Sequence, residues 1–172
     1  MNIDSQLLKS MLGGAAKNDV RFFLNGVHVF GETIEATNGH YLFTAKIDKT
    51  EEDRIFKIIG TIPAKAQDTE ISFETNIATH KNFNNEIVGV GYVEVIDGKF
   101  PDTQKVIDKF KPEKVSEIAF SPEYLSLPKK LFGANGVTLE FGGKDGTARA
   151  KFKHNKTSYT DIEMYLMPMR MD

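Results

Sequence analysis

Four histidines, His28, His40, His80 and His154, are the first residues to test for chemistry, because imidazole serves as metal ligand and as general base. None stands at HxH or HxxxH spacing to another, so no zinc-type ligand pattern is present. The chain has no cysteine, which removes disulfides, thiolate metal sites and thiol nucleophiles together and favours a reducing compartment. The stretch Gly142-Gly143-Lys144-Asp145-Gly146-Thr147 has the glycines and lysine of a phosphate-cradling loop. It lacks the upstream glycine, however, and Asp145 stands where a Ser or Thr must follow the lysine, so a hairpin turn is the better reading. No Gly-x-Ser-x-Gly elbow occurs, and Glu51, Glu52 and Asp53 form a contiguous solvated run rather than a spaced acid and base. Nothing pairs a nucleophile with a base. A small hydrolase or nucleotide-binding enzyme therefore has little support, and no cofactor or metal is implied.

The residues that remain are suited to holding a ligand rather than transforming it. Met167, Pro168 and Met169 sit together near the C-terminus, and flexible thioethers beside a proline can line an apolar cleft that repacks around several ligands. A buried last strand is the bland reading of the same residues, as a simple turn is of Asn38-Gly39-His40.

The elements that must position these residues are segregated along the chain. Leu7, Leu8, Met11 and Leu12 recur at helical spacing between Asp4 or Ser5 as cap and Gly13-Gly14 as stop. From Val20 the pattern turns to β-branched and aromatic runs cut by turn signals, which predicts strands over 20–24, 27–30, 33–37, 41–47, 54–62, 70–75 and 86–96. Residues 65–68 and 80–85 read as polar connections, and 98–112, flanked by Pro101 and Pro112, as a connector. A strand over 117–120 then precedes a second helix, with Ser121 at N-cap and Pro122 at N1; Pro128 should shorten or kink that helix before Gly133 ends it. Strands over 136–141, 147–152 and 162–169 follow. Without β-α-β alternation, the order predicts an α+β fold of two short helices packed on antiparallel sheet.

With 172 residues, the chain buries roughly 70% of its unfolded surface as one domain. No apolar run approaches the ~20 residues of a membrane span and no signal-peptide layout is present, so a soluble cytoplasmic protein is expected. The 22 Lys and Arg against 24 Asp and Glu give a net charge of -2, which excludes a uniformly basic nucleic-acid coat but not a ring with a basic inner face.

Three separated segments resemble the bacterial β sliding clamp, the processivity subunit of the replicative polymerase. Asp19–Val27 followed by Ala36-Thr37-Asn38-Gly39-His40-Tyr41-Leu42 is similar to the family's middle domain, in which a strand ending in LNG precedes an ATDGHRL turn. Asp97-Gly98-Lys99-Phe100-Pro101-Asp102 is similar to the GRFPD connector, and Leu166-Met167-Pro168-Met169-Arg170-Met171 to the terminal VMPMRL. They occur in the family's order. Residues 1–100 thus resemble the clamp middle domain without its second helix, 101–114 a connector, and 115–172 the last half of the final domain, together one DNA-clamp-like domain. Tyr41 departs from the usual arginine, Tyr165 from a smaller aliphatic residue, and Asp172 extends the terminus.

The resemblance implies a DNA sliding clamp that binds double-stranded DNA without sequence preference, needs self-association because a ring contains six domains, and is served by a clamp loader. It also implies a pocket for peptide motifs of the replicative DNA polymerase and other proteins. Position by position that pocket would comprise Leu24, Thr37, Gly39, His40 and Leu42; Pro101 and Val106; and Tyr165, Met167, Pro168, Met169 and Arg170. The DNA-facing candidates are Lys9, Lys17, Asn18, Arg21, Lys129 and Lys130, whose bland reading is the solvated side of amphipathic helices. A non-encircling relative that binds or competes for the same peptides is the alternative.

Overall fold

A computed structural model describes residues 1–143, 146–156 and 161–169. Its frame is one eleven-stranded antiparallel sheet. The strands are β1 (Asn2–Asp4), β2 (Val27–Phe30), β3 (Thr33–Thr37), β4 (Tyr41–Lys46), β5 (Asp53–Ile59), β6 (Asp68–Ser72), β7 (Ile77–Lys81), β8 (Ile87–Ile96), β9 (Thr138–Phe141), β10 (Ala148–Phe152) and β11 (Ile162–Leu166), in the order β1-β6-β7-β8-β5-β2-β3-β4-β11-β10-β9. Helices α1 (Ser5–Gly14), α3 (Pro122–Leu125) and α4 (Leu127–Phe132) and the short α2 (Gln104–Lys109) complete an α+β architecture. None of them is long and apolar enough to cross a membrane.

Helix α1 starts where a side chain replaces its missing backbone acceptors: Asp4 Oδ1 accepts from the amides of Gln6 and Leu7, both at 2.8 Å. Leu7, Leu8 and Met11 are buried, and the helix packs on β3 and α4. Gly13 and Gly14 do not stop it. They belong to its last turn because a Cβ on Gly14 would come within 2.8 Å of the Phe43 ring, and one on Gly13 within 2.9 Å of Leu131.

Other departures also have local causes. Residues 20–24 form a loop ending in a 3-10 turn (Phe22–Leu24), not a strand. The Asn25 side chain receives the Asp19 amide and donates to the Asp19 carbonyl, both at 2.9 Å, closing the loop without a ladder and leaving Val20 95% exposed. The strand expected over 70–75 ends at Ser72; Asn76 turns the chain with φ +57, and β7, for which no strand was expected, runs into the first two residues of the 80–85 connection. Similarly, β6 already begins at Asp68. Residues 98–112 hold α2, and 117–120 contribute one bridge, Ala119 to Met169. The second helix breaks at Ser126, two residues before Pro128, into α3 and α4, and Gly133 at φ +65 caps α4.

The junction that matters most is β4 with β11. Tyr41, Leu42, Phe43 and Ala45 pair with Leu166, Tyr165, Met164 and Ile162, so the chain's last strand extends the sheet built by its first hundred residues. Side chains alternate across this ladder. Phe43 points to the helical side, where it is fully buried against Phe132 and Phe152 with centroids at 5.0 and 6.3 Å. Phe43→Ala should therefore cost about 3–5 kcal/mol, whereas Val20→Ala should stay within about 0.5 kcal/mol; urea denaturation of the two variants checks this.

Candidate functional site

On the sheet face opposite α1, the register aligns Thr37, Leu42 and Tyr165 in one row across β3, β4 and β11. Leu42 and Tyr165 are only 5% and 2% exposed there, because the connector crosses above them. Phe110 meets the Tyr165 ring edge-on at 6.0 Å, and the Arg149 guanidinium lies over Phe110 at 4.7 Å. The Tyr165 hydroxyl donates to Glu163 Oε2 at 2.7 Å, and Arg149 bridges to Glu140 at 2.7 Å.

Beside this row opens a mainly apolar cleft of about 330 Å³. Nine of the expected pocket residues border it: Leu24, Thr37, Gly39, His40, Leu42, Pro101, Val106, Tyr165 and Met167. Pro168 and Met169 do not; the Met169 amide donates to the Ala119 carbonyl at 2.8 Å and directs that stretch away. Arg170 lies outside the described residues, as do Lys144 and Asp145 in the 142–147 turn, whose flanks close by a 2.9 Å hydrogen bond from Gly142 N–H to Thr147 O. The cleft also takes in Arg21, Phe23, Tyr41, Asp102, Thr103 and Thr147. Most of these neighbour a residue already singled out. Thr147, from the β9–β10 turn, carried no sequence signal.

Local chemistry sets the cleft's edges. The 38–40 turn needs glycine at Gly39, where φ is +90. The Gly39 amide donates to Thr37 Oγ1 at 3.0 Å, the Thr37 hydroxyl donates to the Tyr41 carbonyl, and Asn38 Oδ1 accepts from the His40 amide at 2.9 Å. The Met167 amide donates to the His40 carbonyl at 2.9 Å, which fastens the last strand's exit to this turn. Arg21, considered for DNA contact, borders the cleft instead: it pairs with Asp19 at 2.8 Å, holding that carboxyl down to about 2, and donates to the Asn38 carbonyl at 3.2 Å. Lys9 on α1 and Lys129 and Lys130 on α4 are exposed on the packed helical layer, and Lys17 and Asn18 are exposed in the loop after α1.

Two of the histidines take part in buried hydrogen-bond chains. His154 Nδ1 accepts the Lys156 amide at 3.0 Å, so the proton of its neutral form sits on Nε2 and is donated to Ser10 Oγ at 3.1 Å. Ser10 in turn donates to the Leu131 carbonyl at 2.7 Å. Burial lowers the His154 pKa, which favours the neutral ring. The proton thus runs from histidine to serine, the reverse of nucleophile activation. His80 is fully buried, its Nδ1 2.9 Å from Thr69 Oγ1, with Ser5 Oγ 2.8 Å beyond. Among the described residues no group of three or more His, Asp or Glu gathers as a metal site.

Solved structures with this architecture include DNA sliding clamps. A sliding clamp from Pseudomonas aeruginosa superposes with TM-score 0.61 at 16% identity over 99% of this chain and 66% of that one. A DNA polymerase III beta subunit from Thermotoga maritima gives 0.63 at 16% identity, covering 100% and 65% of the two chains. A Bacillus subtilis sliding clamp gives 0.62 at 16%, covering 100% and 64%. The chain has the DNA sliding-clamp fold. It spans about two thirds of the length of the clamps it matches. No protein-family model and no curated protein matches it.

Within this clamp fold, burial pushes the phenols of Tyr41 and Tyr165 up to about 12, with the Glu163 charge adding to the effect at Tyr165. A spectrophotometric titration should leave part of the phenolate absorbance to appear only near pH 12. That part should vanish in the Tyr41→Phe, Tyr165→Phe double variant.

Proposed function

We propose that the protein is a sliding clamp or processivity factor acting without chemistry: it stays on duplex DNA while its cleft tethers a replication enzyme by a peptide. The observation that carries this reading is the convergence of three distant segments, around Leu24 and His40, Pro101 and Met167, on one apolar cleft within a clamp fold. Tethering raises the enzyme's effective concentration at the primer end. The peptide would enter with aliphatic or aromatic anchors, and Met167, 51% exposed at the rim, would pack against them.

Encirclement requires several copies of what is, on this reading, one clamp-like domain. The sheet ends in β1 and β9, and Val137 and Leu139, 42% and 41% exposed at β9, offer apolar material for pairing edge to edge with another copy. DNA would then face the helical layer with Lys9, Lys129 and Lys130, which neutralise phosphates without reading bases. A second reading rests on the same cleft, a non-encircling module that binds or competes for the same peptides.

Light scattering and sedimentation with and without a peptide carrying Leu and Phe anchors separate the two. A ring gives a multiple of the 19.3 kDa chain mass; a protein monomeric at high concentration that still binds peptide is the module. Met167→Asp should weaken the peptide at least about tenfold by placing a charge in the cleft, with an unchanged circular dichroism spectrum; undiminished binding would disprove the cleft's role. Affinity for duplex DNA should fall steeply with salt, and Lys129→Glu with Lys130→Glu should flatten the salt slope by about one unit per lost phosphate contact. Salt-independent affinity would rule phosphate contact out.

A further inference from the structure

Between the connector and the sheet lies a charged cluster that the proposed function does not use. His28 on β2 and Glu35 on β3 are a cross-strand pair, so both side chains rise on the connector's side. Glu35 is 1% exposed. Its Oε1 accepts a 2.7 Å hydrogen bond from the Thr103 hydroxyl, while Oε2 lacks a hydrogen-bond partner and faces His28 Nδ1 across 3.5 Å, an ion-pair separation. The other ring nitrogen, Nε2, meets Asp53 Oδ1 on β5 at 2.9 Å. The imidazole is sandwiched between Phe30 and Phe100, with centroids at 5.0 and 4.7 Å and interplanar angles of 20° and 25°. Phe100 and Thr103 flank Pro101 and precede Val106, so the connector is pinned at two points beside the residues that wall the cleft.

A ring with a carboxylate at each nitrogen and an aromatic on each face is built for the imidazolium form. A neutral imidazole has one N–H and can serve only one carboxylate. Asp53 is exposed and can turn to water, whereas Glu35 cannot, so deprotonation removes the counter-charge of a buried carboxylate. Burial opposes charging of His28, but the hydrogen bonds and fields of Glu35 and Asp53 outweigh it and raise its pKa. Arg54, Asp97 and Lys99 border the same hollow and are exposed, so solvent screens them.

We propose that the His28–Glu35 pair is a pH-sensitive positioning latch for the cleft wall: protonated His28 steadies Glu35, Glu35 holds Thr103, and the connector stays seated. Because the folded-state pKa is raised, this stabilisation is complete below the ordinary histidine value near 6.5 and is lost as pH rises through the folded value. The consequence for ligand affinity rests on the reading of the cleft as a binding site. The latch itself does not.

Amide hydrogen exchange at Val106 and Ile107, whose N–H groups donate to Thr103 O at 2.9 and 3.2 Å, reads the latch without a ligand. After correction for intrinsic exchange, their protection should fall about fivefold or more between about pH 6 and pH 8.5 in the unmodified protein. It should be flat in Glu35→Gln, which still accepts from Thr103 but carries no charge, and in His28→Phe, which keeps the stack but cannot titrate. A labelled peptide with Leu and Phe anchors should lose affinity over the same range only in the unmodified protein. Protection that ignores pH, or the same pH profile in both variants, overturns the latch. A pH-dependent peptide affinity that persists in Glu35→Gln would assign the effect to a group outside the latch and overturn the coupling. If the peptide binds no form while protection still follows pH, the latch is supported and the binding reading of the cleft fails.

Discussion

The antiparallel ladder between β4 and β11 is the contact on which the cleft depends. Its strands come from opposite parts of the chain, so forming it pays a large loop-closure entropy that nearby contacts must offset. They do so on the other face of the same ladder, where Phe43, Met164, Phe132 and Phe152 are buried together. Register is decided there as well. A one-residue slip of β11 against β4 would send Tyr165 toward the helices and Met164 to the connector side. The aromatic core beneath the sheet thereby specifies the cleft above it, and neither face can be changed independently.

The second constraint is the connector, which carries Pro101, Thr103 and Val106 to the cleft although none of the residues of α2 is buried. Six residues of α2 with no side-chain cap cannot hold a helix in place by propensity. The segment is seated by contacts at its ends: Phe100 on His28, Thr103 on Glu35, Phe110 on Tyr165, and the Glu113 amide on the Phe141 carbonyl at 2.7 Å. On the proposed function, a wall held at a few points would let the cleft adjust to more than one ligand. By contrast, the Ser10–His154 and Ser5–Thr69–His80 chains lie inside the fold, where they tie α1 to α4 and to β6 and β7.

Much of the architecture could be read locally. Strands 33–37, 27–30 and 41–46 announced themselves by β-branched runs and Asn-Gly turns, and α1 by its 3.6-residue period and acidic cap. The misreadings fall where a side chain or a distant neighbour overrode local preference. Val20 through Leu24 has strand composition, yet the Asn25 side chain satisfies both backbone groups of Asp19 and closes a loop instead of a ladder. Gly13 and Gly14 read as a stop signal, yet they are small because Phe43 and Leu131 come close. The site followed the same division: Leu24, His40, Pro101 and Met167 were legible as motifs, Thr147 was not, and Met169 was drawn away by Ala119.

By itself, then, the sequence determined the segregated α+β order, the absence of nucleophile–base and metal-ligand patterns, and the short segments that match a clamp. Those are properties of neighbouring residues, set by backbone propensity, side-chain period and chemical type. Only the tertiary structure decided which segments share a surface, that Arg21 turns to the cleft, and that Glu35 is buried beneath the connector with His28 as its counter-charge. Those depend on strand register and on desolvation, which arise from residues far apart in the chain and leave no local trace.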